Sequence, residues 1–125
     1  MEASTLRTKG PTLTNEAGLL AVLTAVANPQ RMRVVAELTG GRVHVSELAR
    51  RLGMSRPLLY MHLDRLEKAG LVVGQLELSG DGKAMKYFEL APFDVRLTAE
   101  TITEAVRAEA DAGGRDARAQ DASTD

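Results

Sequence analysis

Arg56, Tyr60 and Met61 stand within one short stretch, SRPLLYMHLDRLEKAG, which opens on Ser55 and closes on Gly70. Between them they offer a planar guanidinium, a phenol and a thioether. An arginine fork can donate two parallel hydrogen bonds to guanine O6 and N7. A tyrosine can touch a thymine methyl or donate to a phosphate, and a thioether offers apolar contact. This is the chemistry of reading base edges. Bond-breaking chemistry has little to draw on: there is no cysteine, only His44 and His62 among histidines, and no phosphate-cradling loop of the expected spacing. A non-enzymatic protein without a cofactor is expected. A metal site made from carboxylates alone would suit a soft or borderline ion poorly, so no metal residue is assigned.

Two predicted helices must aim those side chains. The first is expected to start with Ser46 as its cap and to carry Leu48, Ala49 and Leu52 until Gly53 ends it. The second is capped by Ser55, tolerates Pro57 in its first turn, where a missing N–H costs nothing, and runs to Gly70. At about 100° per residue, Leu59, Leu63, Leu66 and Gly70 form its buried side, with Ser55 and His62 flanking. Pro57, Tyr60, Met61, Asp64 and Lys68 fall opposite, with Arg56, Leu58 and Arg65 at the margins. The N-terminal part of such a helix enters a major groove, which makes Ser55, Arg56, Pro57, Tyr60 and Met61 the expected base or near-base contacts. His62 at the core boundary can reach a backbone group or a phosphate. Arg50, Arg51, Arg65 and Lys68 are candidates for phosphates, although for Arg51 or Lys68 taken alone solvated surface charge is the preferred reading.

Around that pair the chain reads as follows. Residues 1–14 lack a sustained period and are expected to be a flexible arm. From Asn15 or Glu16, Leu19, Leu20, Val22, Leu23, Val26 and Ala27 cover more than one helical face, so this helix wants cover on two sides, from the core or from a second subunit. Asn28-Pro29 opens another helix, which stops at Thr39-Gly40-Gly41, and Val43-His44-Val45 is a candidate edge strand. Leu71 to Leu78 and Met85 to Leu90 flank the turn Ser79-Gly80-Asp81-Gly82 as a β-hairpin, with Lys83 and Lys86 near its tip. Those two lysines are placed to meet an adjacent minor groove or the phosphate backbone. A last helix, capped at Thr98, carries a narrow stripe of Ile102, Ala105 and Val106, and residues 111–125 are expected to be disordered. The fold expected is mainly α with a small β-hairpin wing: a winged helix-turn-helix over residues 15–110, whose two outer helices form a dimer interface.

The order NPQRMRVVAEL, VSELARRLGMSRPLLYMHLDRLEKAGLV and a hairpin ending KYFEL resembles the ArsR/SmtB-type winged-helix transcriptional regulators from Ala27 to about Leu90, and to Val106 with the outer helices. The resemblance implies a homodimer that binds a palindromic operator in double-stranded DNA through recognition helix 55–69 and wing 71–90. The likeness stops at metal sensing. The thiolates many of those regulators carry are absent, since Leu48-Ala49-Arg50 contains no cysteine, and the closing helix has no histidine to join Glu100, Glu104 or Glu109. Control by a partner protein or a small-molecule effector, or constitutive binding, is the expectation in its place.

Charge permits this function without demanding it. The net charge of −1 is uneven: Asn28 to Leu90 carries ten Lys and Arg against seven Asp and Glu, and Ala91 to Asp125 carries four against eight. A winged helix used as a protein-interaction module is the competing expectation, because a fold does not fix a function. Without cysteine, a signal core or an apolar run of the ~20 residues that span a bilayer, a cytoplasmic protein with no membrane partner is expected.

Overall fold

The computed structural model describes the backbone of residues 13–124 and the side chains of residues 13–112. Five helices and three short strands follow one another among these residues: α1 (Glu16–Val26), α2 (Pro29–Leu38), β1 (Val43–His44), α3 (Val45–Leu52), α4 (Arg56–Lys68), β2 (Val72–Leu78), β3 (Ala84–Leu90) and α5 (Ala99–Thr124). The strands form one antiparallel sheet in the order β1-β3-β2. β1 pairs Val43 with Phe88 and His44 with Tyr87, and the hairpin pairs Val72 with Leu90 through to Leu78 with Ala84. The expected fold class is the observed one, a winged helix-turn-helix.

Local chemistry accounts for most of the boundaries. Asn15 and Asn28 cap α1 and α2 by accepting from the amides of Gly18 at 2.8 Å and Arg31 at 3.0 Å. Thr98 and Thr101 cap α5 reciprocally, each hydroxyl accepting from the other residue's amide, at 3.1 and 2.9 Å. Gly53 sits at φ +64° between α3 and α4, a left-handed conformation that a side chain would resist. The α3 start differs from expectation. The helix begins at Val45, and His44 is its cap, with Nδ1 accepting from the Glu47 amide at 3.4 Å. The cause is tertiary: pairing of His44 with Tyr87 holds that residue in extended backbone, so the cap falls two residues early and Ser46 is left within the first turn.

The core lies where α2, α3 and α4 meet the sheet. Val34, Leu38, Leu48, Leu59, Leu63, Leu66 and Leu71 are all but inaccessible, and each such leucine contributes roughly 1.5–3 kcal/mol by leaving water. α1 lays Val22 and Ala25 against this core and also packs on α5, whose Ala105 is buried. α5 continues to Thr124, past the point where the sequence predicts disorder from residue 111. The helical backbone there includes Gly113-Gly114, each of which costs about 1 kcal/mol relative to alanine. Residues 1–12 of the expected N-terminal arm lie outside the described residues, and Leu13 rests on the core.

Candidate nucleic-acid interface

α4 is set by its own sequence. Ser55 accepts from the Leu58 amide at 3.3 Å, Pro57 occupies the first turn, and the Leu59, Leu63 and Leu66 stripe fixes which way the helix faces. Tyr60 and Met61 consequently point outward, 43% and 61% exposed, and Arg56 and Pro57 are exposed at the same end. Arg56 makes no ion pair with any carboxylate among the described residues.

The wing completes a groove beside this helix end. Arg56 and Tyr60 form one wall with Ser46, and Leu76, Met85 and Lys86 of the hairpin form the other, around a space of about 330 Å³. Tyr60 is steered there by the sheet: its ring meets Phe88 edge-on at 6.5 Å between centroids, and Lys86 Nζ lies 5.5 Å from the same Phe88 ring. The close approach at Gly74 permits this, since a Cβ there would come within 2.9 Å of both Lys86 Cε and the Phe88 ring. Lys83 is exposed at the wing tip, where Asp81 holds the turn. The Asp81 carboxylate accepts from the Ser79 hydroxyl and from the Lys83 amide, and both bonds hold its pKa below the usual range.

Other cations are neutralised where they stand. Arg50 and Arg51 both donate to Glu47, Arg51 at 2.9 Å, and Glu37 lies 3.7 Å from Arg51. The two guanidiniums lower the Glu47 pKa to about 2, the Arg50 hydrogen bond most of all. Arg42 pairs with Glu77 and lies 4.5 Å from the Tyr87 ring centre, and so ties the α2–β1 turn to the wing. Lys68 is bound to Asp64 at 3.0 Å.

Two residues expected at the interface are held elsewhere. His62 is buried behind α4: Nε2 is 2.9 Å from Gln30 Oε1, and Arg31 Nη1 is 3.3 Å from Nδ1. An arginine can only donate, so Nδ1 accepts and the proton sits on Nε2, which donates to Gln30. Burial, then the nearby charges of Arg31 and Arg65, push the His62 pKa down and keep the ring neutral. This ring is a strut between α2 and α4 and is not among the residues that line the groove with Arg56. Arg65 follows Arg56 by nine positions, which is half a turn around at about 100° per residue, and it lies by α1 on the far side of the helix. Ser46, Leu76 and Met85 are the groove residues that the sequence does not single out. Ser46 passes for a helix cap, and the two apolar residues pass for ordinary strand alternation.

Residues 26–75 match a helix-turn-helix domain family. The chain is 35% identical, over 62% of its own length and 81% of the relative's, to an uncharacterized helix-turn-helix-type transcriptional regulator of Methanocaldococcus jannaschii. Among solved structures it resembles reduced HlyU from Vibrio cholerae, with TM-score 0.52 and 26% identity over 71% of this chain and 82% of that one. It also resembles the 1–100 fragment of Mb0332 from Mycobacterium bovis, a possible ArsR-family regulator solved in solution as a homodimeric winged helix-turn-helix DNA-binding domain. There the TM-score is 0.52 and the identity 25%, over 61% of this chain and 66% of that one.

Proposed function

This chain belongs to the ArsR-type winged helix-turn-helix transcriptional regulators, and from that premise we propose that it binds an operator duplex as a homodimer. The N-terminal half of α4 lies in the major groove, with Arg56 on a guanine, Tyr60 and Met61 on neighbouring base edges or a phosphate, and Ser55 and Pro57 against the backbone. The wing presents Lys86 and Lys83 to the flanking duplex. One observation carries this reading: Arg56, without a carboxylate partner among the described residues, opens beside Tyr60 and Lys86, whereas Arg42, Arg50 and Arg51 are already paired.

The M. bovis fragment is homodimeric, and this chain leaves Ile102 and Val106 of α5 uncovered, as an interface through the outer helices requires. A twofold protein reads a palindrome whose half-sites repeat at about one helical turn, roughly 34–36 Å. The reading is non-enzymatic and needs no cofactor. His44 caps α3 and His62 braces α4, so a metal effector would have to be held by carboxylates alone, and control falls to a small molecule or a partner protein. A cytoplasmic setting fits such a role, and among the described residues no helix is long and apolar enough to cross a membrane.

Footprinting on the DNA upstream of the chain's own gene, with a salt titration of the shift, tests the proposal. A protected palindrome whose affinity falls steeply with salt is expected. Absence of any salt-sensitive shift would move the assignment to a protein-interaction module.

A further inference from the structure

On the side of α4 away from Arg56, that helix meets α1 and the start of α2 around an apolar pocket of about 290 Å³. Its floor is Leu20, Ala21, Ala25 and Ala69, and Leu20 is 53% exposed there. Three cations stand around the floor, Arg31, Arg65 and Lys68, and the lining contains no carboxylate. Arg31 is fixed entirely by neutral acceptors: the carbonyls of Ala25 at 2.6 Å and Thr24 at 3.4 Å, and His62 Nδ1 at 3.3 Å. Among the described residues neither Arg31 nor Arg65 makes an ion pair, and only Lys68 is satisfied, by Asp64 at 3.0 Å.

We propose that this pocket binds a small amphipathic carboxylate, its apolar body on the alanine and leucine floor and its carboxylate between Arg31 and Arg65. Each half of the pocket selects one half of that ligand. A bare anion would leave the apolar floor wet, and a neutral hydrocarbon would crowd two guanidiniums without pairing them. A nucleic-acid phosphate is a poor occupant, because a strongly hydrated group gains nothing from four apolar side chains. The volume lies at the small end of ligand pockets, ~300–1,000 Å³, which suits a medium-chain or single-ring acid. Arg31 also holds the His62 strut, so the ligand would sit on the contact that orients the helix carrying Arg56. That regulatory consequence rests on the operator-binding reading; the binding itself does not.

The test is a titration of the isotope-labelled full chain with octanoate, followed through its backbone amides without DNA, with 1-octanol and acetate as separate arms. Saturable shifts centred on Ala21, Ala25, Arg65 and Ala69 are expected with octanoate, and binding at least about tenfold weaker with octanol and with acetate. Arg65→Ala should weaken octanoate about tenfold, and Ala21→Leu, which fills the space, should abolish binding. Both positions are exposed, and unchanged melting curves verify that the fold is kept. Equal binding of octanol, equal shifts with acetate, indifference to Arg65→Ala, or shifts that follow protein concentration in place of octanoate would each overturn the proposal, the last by giving the pocket to a second copy of the chain.

Discussion

Arg56 and Arg65 are the same residue type on one helix, and their different surroundings give them different tasks. Arg56 faces the groove shared with the wing, so Arg56→Ala should weaken binding to the cognate duplex about tenfold and relax preference at one base pair, read by competition against single-substituted operators. Glu47 holds Arg50 and Arg51 against the protein, and Glu47→Gln frees Arg50 to meet phosphate while Glu37 still faces Arg51. The salt dependence of DNA binding should then steepen by about one phosphate contact, and an unchanged slope would show that Arg50 stays at the protein surface. His62 supplies the pH dependence. Its folded pKa lies below the unfolded value of about 6.5, so as pH falls from 7 the unfolded chain takes up a proton before the folded one does. Stability is full above that unfolded value and declines as pH falls toward the folded one. The urea midpoint should drop between pH 7 and pH 5, and His62→Gln should flatten that drop. The polarity of this ring is visible in the sequence, and its partners are not, because Gln30 and Arg31 reach it from a helix more than thirty residues earlier.

At the scale of elements, the helix-turn-helix is a local object and the wing is not. Caps at Asn28 and Ser55, the left-handed Gly53 and the Leu59-Leu63-Leu66 stripe depend on near neighbours, and so α2 and α4 are legible from spacing alone. The α3 start is misread because a histidine cap is imposed by a strand pairing with a residue far along the chain. The orientation of the wing has the same long-range character: Arg42 reaches from the α2–β1 turn to Glu77 on β2 and stacks on Tyr87 of β3. Arg42→Ala should leave the central footprint made by α4 in place and weaken protection at its flanks, where the wing docks. Loss of centre and flank together would mean that Arg42 supports the whole fold.

For the whole molecule the decisive surface is the one left uncovered by α1 and α5. Ile102 and Val106 are about half exposed on a helix whose Ala105 is buried in the same turn, an arrangement that a second subunit would complete. Ile102→Glu should convert a dimeric mass into a monomeric one in light scattering at micromolar concentration, with the helical content by circular dichroism retained. A wild-type monomer under the same conditions would remove the dimer from the reading. The sequence by itself determined the helix periods, the caps at Asn28, Ser55 and Thr98, the hairpin turn and the outward face of α4, since each is set by side chains within a few positions of one another. Only tertiary structure decided that Tyr60 leans on Phe88 to share a groove with Lys86, that His62 turns inward, that Arg42 is paired with Glu77, and that Arg65 borders an apolar pocket beside α1. A helical wheel ranks residues by angle around one axis. It carries no information about what stands opposite each angle, and that is what separates a cation free to meet DNA from one already spoken for.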